Sequence, residues 1–271
     1  MLSIRTYIPA RLQHLVKLFW YLEVPAVPGG YEEEIIPDVH HEIIFHLNTL
    51  PARRLNGAGD KWHTEPAAFV AAQTVQPYRL QLLPGAKLLG IRFYPHTLFA
   101  LLRLPAHELT NRIEPLGALT DEQPFWNCMH PDPDRCFEQL ENLLLQKTLL
   151  LNPHAAGYVY VHTAVEEITR YKGAVSVDQL VRRTGVSLKY LNNLFKQYVG
   201  LNPKMISRIV QLNHFVAYRN RHPEKTFTEC CYESGYYDQS HLIKSFQLFT
   251  RRSPGAYFSH SSQINEFFTA H

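Results

Sequence analysis

Apolar stretches such as Leu143 to Leu145 and Leu149 to Leu151 are broken by polar residues far short of the roughly 20 needed to span a bilayer. The first residues, Met1 to Arg5, lack the basic region and the apolar core of about 7 to 15 residues that mark a secretory leader, so no membrane association and a cytoplasmic chain are expected. Cysteine is scarce as well. The four residues at 128, 136, 230 and 231 are too few and too irregularly spaced for a disulfide framework or a two-pair zinc site, and reduced thiols are expected. Cys128 and Cys136 bracket His130, Asp132 and Asp134 in a Pro-containing segment. Structural zinc takes four well-spaced N or S ligands, so the segment reads as a surface loop, with no metal and no cofactor.

What the chain does have is size and an uneven charge. Its 271 residues, 45% apolar or aromatic and 19% charged, suit a soluble protein of two domains rather than one core. Residues 1–157 hold 13 Lys+Arg against 16 Asp+Glu, or −3, and residues 158–271 hold 14 against 8, or +6. A basic excess confined to the last third predicts that this part meets a polyanion while the rest has another task.

Between Arg5 and Tyr94 the segments Glu42–Asn48, Ala67–Ala72, Tyr78–Leu83 and Lys87–Tyr94 have strand length and turn residues at their ends, which predicts a sheet or small barrel. His96–Leu104 and Cys136–Leu151 carry apolar residues at helical spacing, with Phe137, Leu140, Leu144 and Leu151 on one stripe; this second helix is the expected dimer contact. The breakers of 152–157 predict a boundary, giving domains over 1–154 and 155–271.

The last third contains one device twice. Ser176 with Gln179, and Thr226 with Glu229, each fit a capping box that opens a short helix. Gly185 and Gly235 then turn the chain, and Ser187 and Asp238 cap two further helices, with Leu191, Leu194, Phe195 and Tyr198 inward in one and Leu242, Phe246 and Phe249 inward in the other. Helix, glycine turn and capped helix form a helix-turn-helix unit, here over about 174–199 and 224–250. Pro203 suits the first turn of a joining helix that continues to Pro223. At ~1.5 Å per residue that helix spans about 28 Å, close to the ~34 Å repeat of the B-DNA major groove.

Over about Val161 to Phe258 the chain resembles the DNA-binding domain of the bacterial AraC/XylS family. The resemblance lies in Ser187-Leu-Lys-Tyr-Leu-Asn-Asn-Leu-Phe-Lys, Gly200-Leu-Asn-Pro-Lys, and Gly235-Tyr-Tyr-Asp-Gln-Ser-His-Leu-Ile-Lys-Ser-Phe followed by Ser253-Pro254. The front part is similar to one subgroup of that family through Ile36-Pro37-Asp38 with Glu42-Ile43-Ile44-Phe45, and Gly90-Ile91-Arg92-Phe93 with Pro95; Val39 and His96 stand where the subgroup has glycine. The resemblance implies an α+β chain with a β-rich, cupin-like N-terminal domain that also carries helices, and an all-α C-terminal domain. It further implies a non-enzymatic transcription regulator, activator or repressor, that binds promoter DNA and works with RNA polymerase, with a small effector and a homodimer as further expectations.

On the first reading helix Lys189, Asn192, Asn193 and Lys196 point away from the apolar set. The resemblance puts base contacts at Lys189, Asn192 and Asn193; asparagine pairs with adenine, lysine reaches guanine, and the family's usual arginine at Asn193 implies a different base preference here. On the second helix Gln239, Ser240, Ile243 and Lys244 face outward, Gln239 suited to adenine and Ile243 to a thymine methyl. Lys196, Arg182, Arg183, Arg251 and Arg252 are expected on phosphates, which position without specifying sequence. A strand extended back to Asp38 would carry Asp38, His40, Glu42 and His46 on one face and Val39, His41, Ile43, Phe45 and Leu47 on the other. The polar face reads first as a solvent-facing strand surface, with a lining for a cationic or sugar-like ligand, or a metal, as the alternatives. Trp20, Tyr21 and Trp62 are either core or pocket aromatics. Two rivals are a metal-dependent cupin-like enzyme fused to a DNA-binding module, for which the His-x-His spacing with later Glu and His is missing, and a ligand-free front domain that docks a protein.

Overall fold

A computed structural model describes residues 2–26, 28, 30–48, 52–55, 61–148, 156–260 and 263–270. The front of the chain is β-rich: β1 (Ser3–Tyr7), β2 (Val16–Glu23), β3 (Tyr31–Ile35), β4 (His41–His46), β5 (Ala52–Leu55), β6 (Trp62–Thr64), β7 (Ala68–Ala71), β8 (Tyr78–Leu82), β9 (Lys87–Phe93) and, after α1 (Leu98–Leu102), β10 (Ile113–Pro115). They form two antiparallel sheets, ordered β1-β2-β9-β4-β7-β10 and β3-β8-β5-β6. No ladder joins the two sheets among the described residues.

The central strands of the larger sheet are covered on both faces. Phe19, Tyr21, Ile43, Phe45, Val70, Leu89, Ile91 and Phe93 pack against α1, α2 (Leu116–Leu119), α3 (Gln123–Trp126) and α4 (Pro133–Thr148). The opposite face presents Leu18, Trp20, Leu22 and Leu88 to Leu82 of the smaller sheet. A register shift between Val16 and Leu18 sets Lys17 at a bulge, the extra residue that such a kink requires. Gly90 is obligatory in β9: a Cβ there would lie 2.1 Å from Trp20 Cε2, because the indole rests on the glycine backbone.

Two sequence expectations are corrected here. Phe137, Leu140 and Leu144 of α4 are buried in the core beneath the large sheet, so this stripe is used within the domain and is no dimer surface; Leu151 lies outside the described residues. Cys128 and Cys136 are buried rather than in a surface loop. The Cys136 thiol donates to the His130 carbonyl at 3.2 Å, and burial pushes both thiols up in pKa.

The rest is helical: α5 (Ala156–Arg170), α6 (Val177–Thr184), α7 (Leu188–Tyr198), α8 (Pro203–Arg221), α9 (Phe227–Glu233), α10 (Gln239–Thr250), α11 (Pro254–Phe258) and α12 (Gln263–Ala270). Ala156 and Gly157, read from sequence as part of a linker, begin α5; residues 151–155 lie outside the described set, so the expected boundary at 154/155 falls there. Both capping boxes form, with Gln179 N–H on Ser176 and Glu229 N–H on Thr226. Ser187 and Asp238 cap α7 and α10 as expected. Gly185 and Gly235 take φ of +71°, the left-handed region that favours glycine. The two units do not have separate cores. Leu191, Leu194 and Phe195 join Leu242, Phe246 and Phe249 in one cluster through Ile209, Leu212, Phe215 and Val216 of α8, and Gln211 of α8 donates to the Ser234 carbonyl at 3.1 Å.

Candidate DNA interface and effector pocket

The caps that start α7 and α10 also fix which side faces out. In α7, burial of Leu191, Leu194 and Phe195 leaves Lys189, Asn193 and Lys196 exposed and Asn192 half-buried. In α10, burial of Leu242, Ser245, Phe246 and Phe249 leaves Gln239, Ser240, Ile243 and Lys244 exposed. Ile243 is 38% accessible with no core role, which suits a side chain waiting for an apolar base edge. The Gln239 amide donates to the Thr228 hydroxyl. α8 begins a few residues after α7 ends, and the segment that leads into α10 packs against its middle, where Gln211 donates to the Ser234 carbonyl, with Arg208 5.4 Å from the Phe249 ring of α10.

Arg182 and Arg251 are exposed; Arg183 is exposed with Nε 3.5 Å from Glu167. Arg252 is different. It reaches the N-terminal part and forks onto Glu34 of β3, Nε and Nη2 each 3.3 Å from a carboxylate oxygen, so this expected phosphate contact is already held by an acid. Sequence reasoning missed Tyr237, 87% exposed in the turn before α10. Its signal was an aromatic residue in a turn, off the helical apolar stripe.

The sequence-predicted polar face of β4 is not a solvent face. Strand geometry starts at His41, with Asp38 and His40 in the preceding loop; Glu42 and His46 point between the sheets and are buried. Arg92 of β9, paired in register with Glu42, donates from Nη1 to Glu42 and from Nη2 to Asp38, both at 2.6 Å. His46 Nε2 lies 3.1 Å from Glu65. Burial opposes the charge on Arg92, but Asp38 and Glu42 outweigh it and hold the guanidinium above its ordinary pKa. Burial pushes Glu42 upward against the pull of Arg92. A buried charge cluster of this kind costs desolvation that only good geometry repays, and such clusters concentrate at functional sites.

Trp20, Asp38, Glu42, Glu65, Phe69, Leu80 and Arg92 line a cavity of about 70 Å³ between the sheets, which Ile264 and Phe268 of α12 complete. Of the residues read from sequence as pocket lining, Trp20, Asp38 and Glu42 meet here. His40 lies at an adjoining crevice with Asp38 and Glu42, where its Nε2 is 3.0 Å from Lys17 Nζ, and burial holds Lys17 down at about 8. Trp62 stands apart on β6, 37% exposed. Sequence reasoning missed Arg92 as a site residue and all of α12. Among the described residues no group of three or more His, Cys, Asp or Glu is placed to hold a metal, and no helix is long and apolar enough to cross a membrane.

Two family models match the chain: a domain of unknown function over residues 5–115 and a helix-turn-helix domain over residues 180–269. No curated protein is similar enough to count as a relative. Among solved structures, a point variant of apo ToxT from Vibrio cholerae strain SCE256 is 10% identical over 89% of this chain and 97% of its own, with a TM-score of 0.47. Unsaturated fatty acid bound wild-type ToxT from the same strain is 10% identical over 88% and 94%, at 0.44. The AraC-like transcriptional activator CuxR is 14% identical over 90% and 85%, at 0.35.

Proposed function

We propose that this chain, which carries an AraC-type helix-turn-helix domain, is a sequence-specific regulator of transcription that reads double-stranded promoter DNA with α7 and α10 and answers to a small effector bound between its β-sheets. The observation that carries the reading is the pairing of two capped helices with outward polar faces, Lys189, Asn192 and Asn193 on one and Gln239, Ser240, Ile243 and Lys244 on the other, both held on one core through α8. Side chains of these types make direct major-groove contacts, and the surrounding Arg182, Arg183, Lys196 and Arg251 supply phosphate neutralisation. RNA polymerase is the partner such a regulator works upon. The effector half rests on the buried Arg92–Asp38–Glu42 cluster beside Trp20, a few convergent polar groups in an otherwise apolar cavity.

Selection of duplexes from a random pool by the full chain tests the reading. The expected product is a site with two half-sites about 10 base pairs apart, lost with rising salt as counterions are released. A pool without enrichment at low salt would overturn it.

A further inference from the structure

The cavity between the sheets is shut by the chain itself. Its free volume of about 70 Å³ is far below the roughly 300 Å³ at which small-molecule pockets begin, and what fills the remainder is α12. The Phe268 ring stands edge-on to Trp20 with centroids 5.6 Å apart and lies 4.5 Å from the Arg92 guanidinium carbon, an aromatic group held by an indole and a cation. Four further bonds tie the helix down. The Ile264 and Asn265 N–H groups donate to the Glu33 carboxylate at 3.1 and 3.0 Å, satisfying orphan amides of the first turn. Asn265 accepts from Ile36 N–H at 3.0 Å and donates to the Glu34 carbonyl at 2.6 Å.

We propose that α12 is an internal stopper: Phe268 occupies the seat of an aromatic effector, and an effector that takes this seat lifts α12 and releases the second helix-turn-helix unit from the β domain. The inference rests on the DNA-binding reading above and adds its regulation. The chemistry of the seat names the effector class. Asp38, Glu42 and Glu65 face a single permanent cation, Arg92, across the cavity, so an aromatic molecule without negative charge fits and an aromatic acid is disfavoured. Arg92 Nε has no partner among the described residues, so a hydroxyl on the ring would find a donor there.

The direction of control follows from Arg252. While α12 is seated, β3 with Glu32, Glu33 and Glu34 borders a cleft shared with Arg252 and His260 beside the second unit, and Glu34 neutralises Arg252. The seated state therefore binds DNA weakly, and lifting α12 parts Glu34 from Arg252 and frees that arginine for a phosphate.

Tyramine, a phenol on an ammonium arm, and hydroxyphenylacetate, the same ring on a carboxylate, are the matched probes. They are titrated into full-length wild type, Phe268→Ala and Asn265→Ala. Hydrogen exchange of residues 263–270 and affinity for an enriched duplex are the readouts, and circular dichroism checks the fold. Tyramine should accelerate exchange in α12 of the wild type, bind Phe268→Ala at least about fivefold more tightly, and tighten DNA binding about fivefold or more, a coupling of ordinary size; each variant should tighten DNA binding without ligand. Asn265→Ala loosens the helix without widening the cavity, and it carries the test if Phe268→Ala does not fold. If α12 loosens in either variant while duplex affinity stays unchanged, the stopper account is overturned and the DNA reading stands. If no form enriches a duplex, the DNA reading falls, and the seat is judged by tyramine binding and exchange alone. Equal tyramine affinity in wild type and Phe268→Ala overturns the seat, and preference for hydroxyphenylacetate overturns its charge assignment.

Discussion

The two halves of the molecule handle polar side chains in opposite ways. The helical half keeps its charges outside; Glu167 is its only fully charged residue among the buried set before α12, and the others are Ser207, Gln211, Ser234, Ser245 and Thr250. The β half buries Glu33, His41, Glu42, His46, Glu65, Arg92 and His96. A surface that meets a polyanion can stay solvated until contact, whereas an interior that selects a small molecule must hold its polar groups dry and paired beforehand. The difference teaches where each half can be damaged: the helical half through spacing and outward faces, the β half through lost pairing.

Arg92→Met should strike the β half hardest, since removing one partner of a buried ion cluster costs about 3–5 kcal/mol. Hydrogen exchange should show lost protection in β4 and β9 with α8 largely unaffected; equal loss in both halves would erase the contrast. Gln211→Pro is the reciprocal test. It removes a helical hydrogen bond and kinks α8 at a cost of ~3 kcal/mol or more, and also loses the bond to Ser234. Affinity for the full site should drop towards the non-specific level, measured at one salt concentration with circular dichroism confirming retained helix; unchanged specificity would mean that the two units are used separately.

Gln239→Ala should cost ~1–3 kcal/mol at one base pair only, read by binding to single-substitution duplexes, and a uniform loss on every sequence would reassign Gln239 to the phosphates. The mildest effect concerns pH. Burial pulls His41 down to about 4 and His96 to about 3, with His162 at 3.1 Å from His96 and Asp38 facing His41. Because both stay neutral in the fold while the unfolded chain takes up protons near pH 6.5, their contribution is complete above that pH and is lost on acidification towards 4. Each adds a slope of at most about 1.4 kcal/mol per pH unit. Urea unfolding at pH 7 and pH 5.5 should show His41→Phe less acid-sensitive than wild type; identical slopes would remove His41 from this balance.

How legible these halves were differs for the same physical reason. The helical half announces itself locally: Ser176 with Gln179, Thr226 with Glu229, and the caps Ser187 and Asp238 all act within three residues. In the β half, β4, β7, β8 and β9 were readable by length and flanking turns. β2 was not, because Phe19 and Trp20 are both buried on opposite faces and no alternation survives. β3 was not among the strands read from sequence, and the role of Glu33 shows only in the amides it receives from more than 230 residues away. Arg92 went unread as a site residue for the same cause: its partners Glu42 and Asp38 come from other segments.

Gly90 carries one more consequence. A methyl group there would meet Trp20 Cε2 at 2.1 Å and Cζ2 at 2.3 Å, so Gly90→Ala forces the indole off the sheet and up towards the seat of Phe268. The floor height of the chamber is thus set from behind, by a backbone position outside the cavity lining. Any side chain at residue 90 would therefore displace one wall of the cavity, Trp20, without itself lining it.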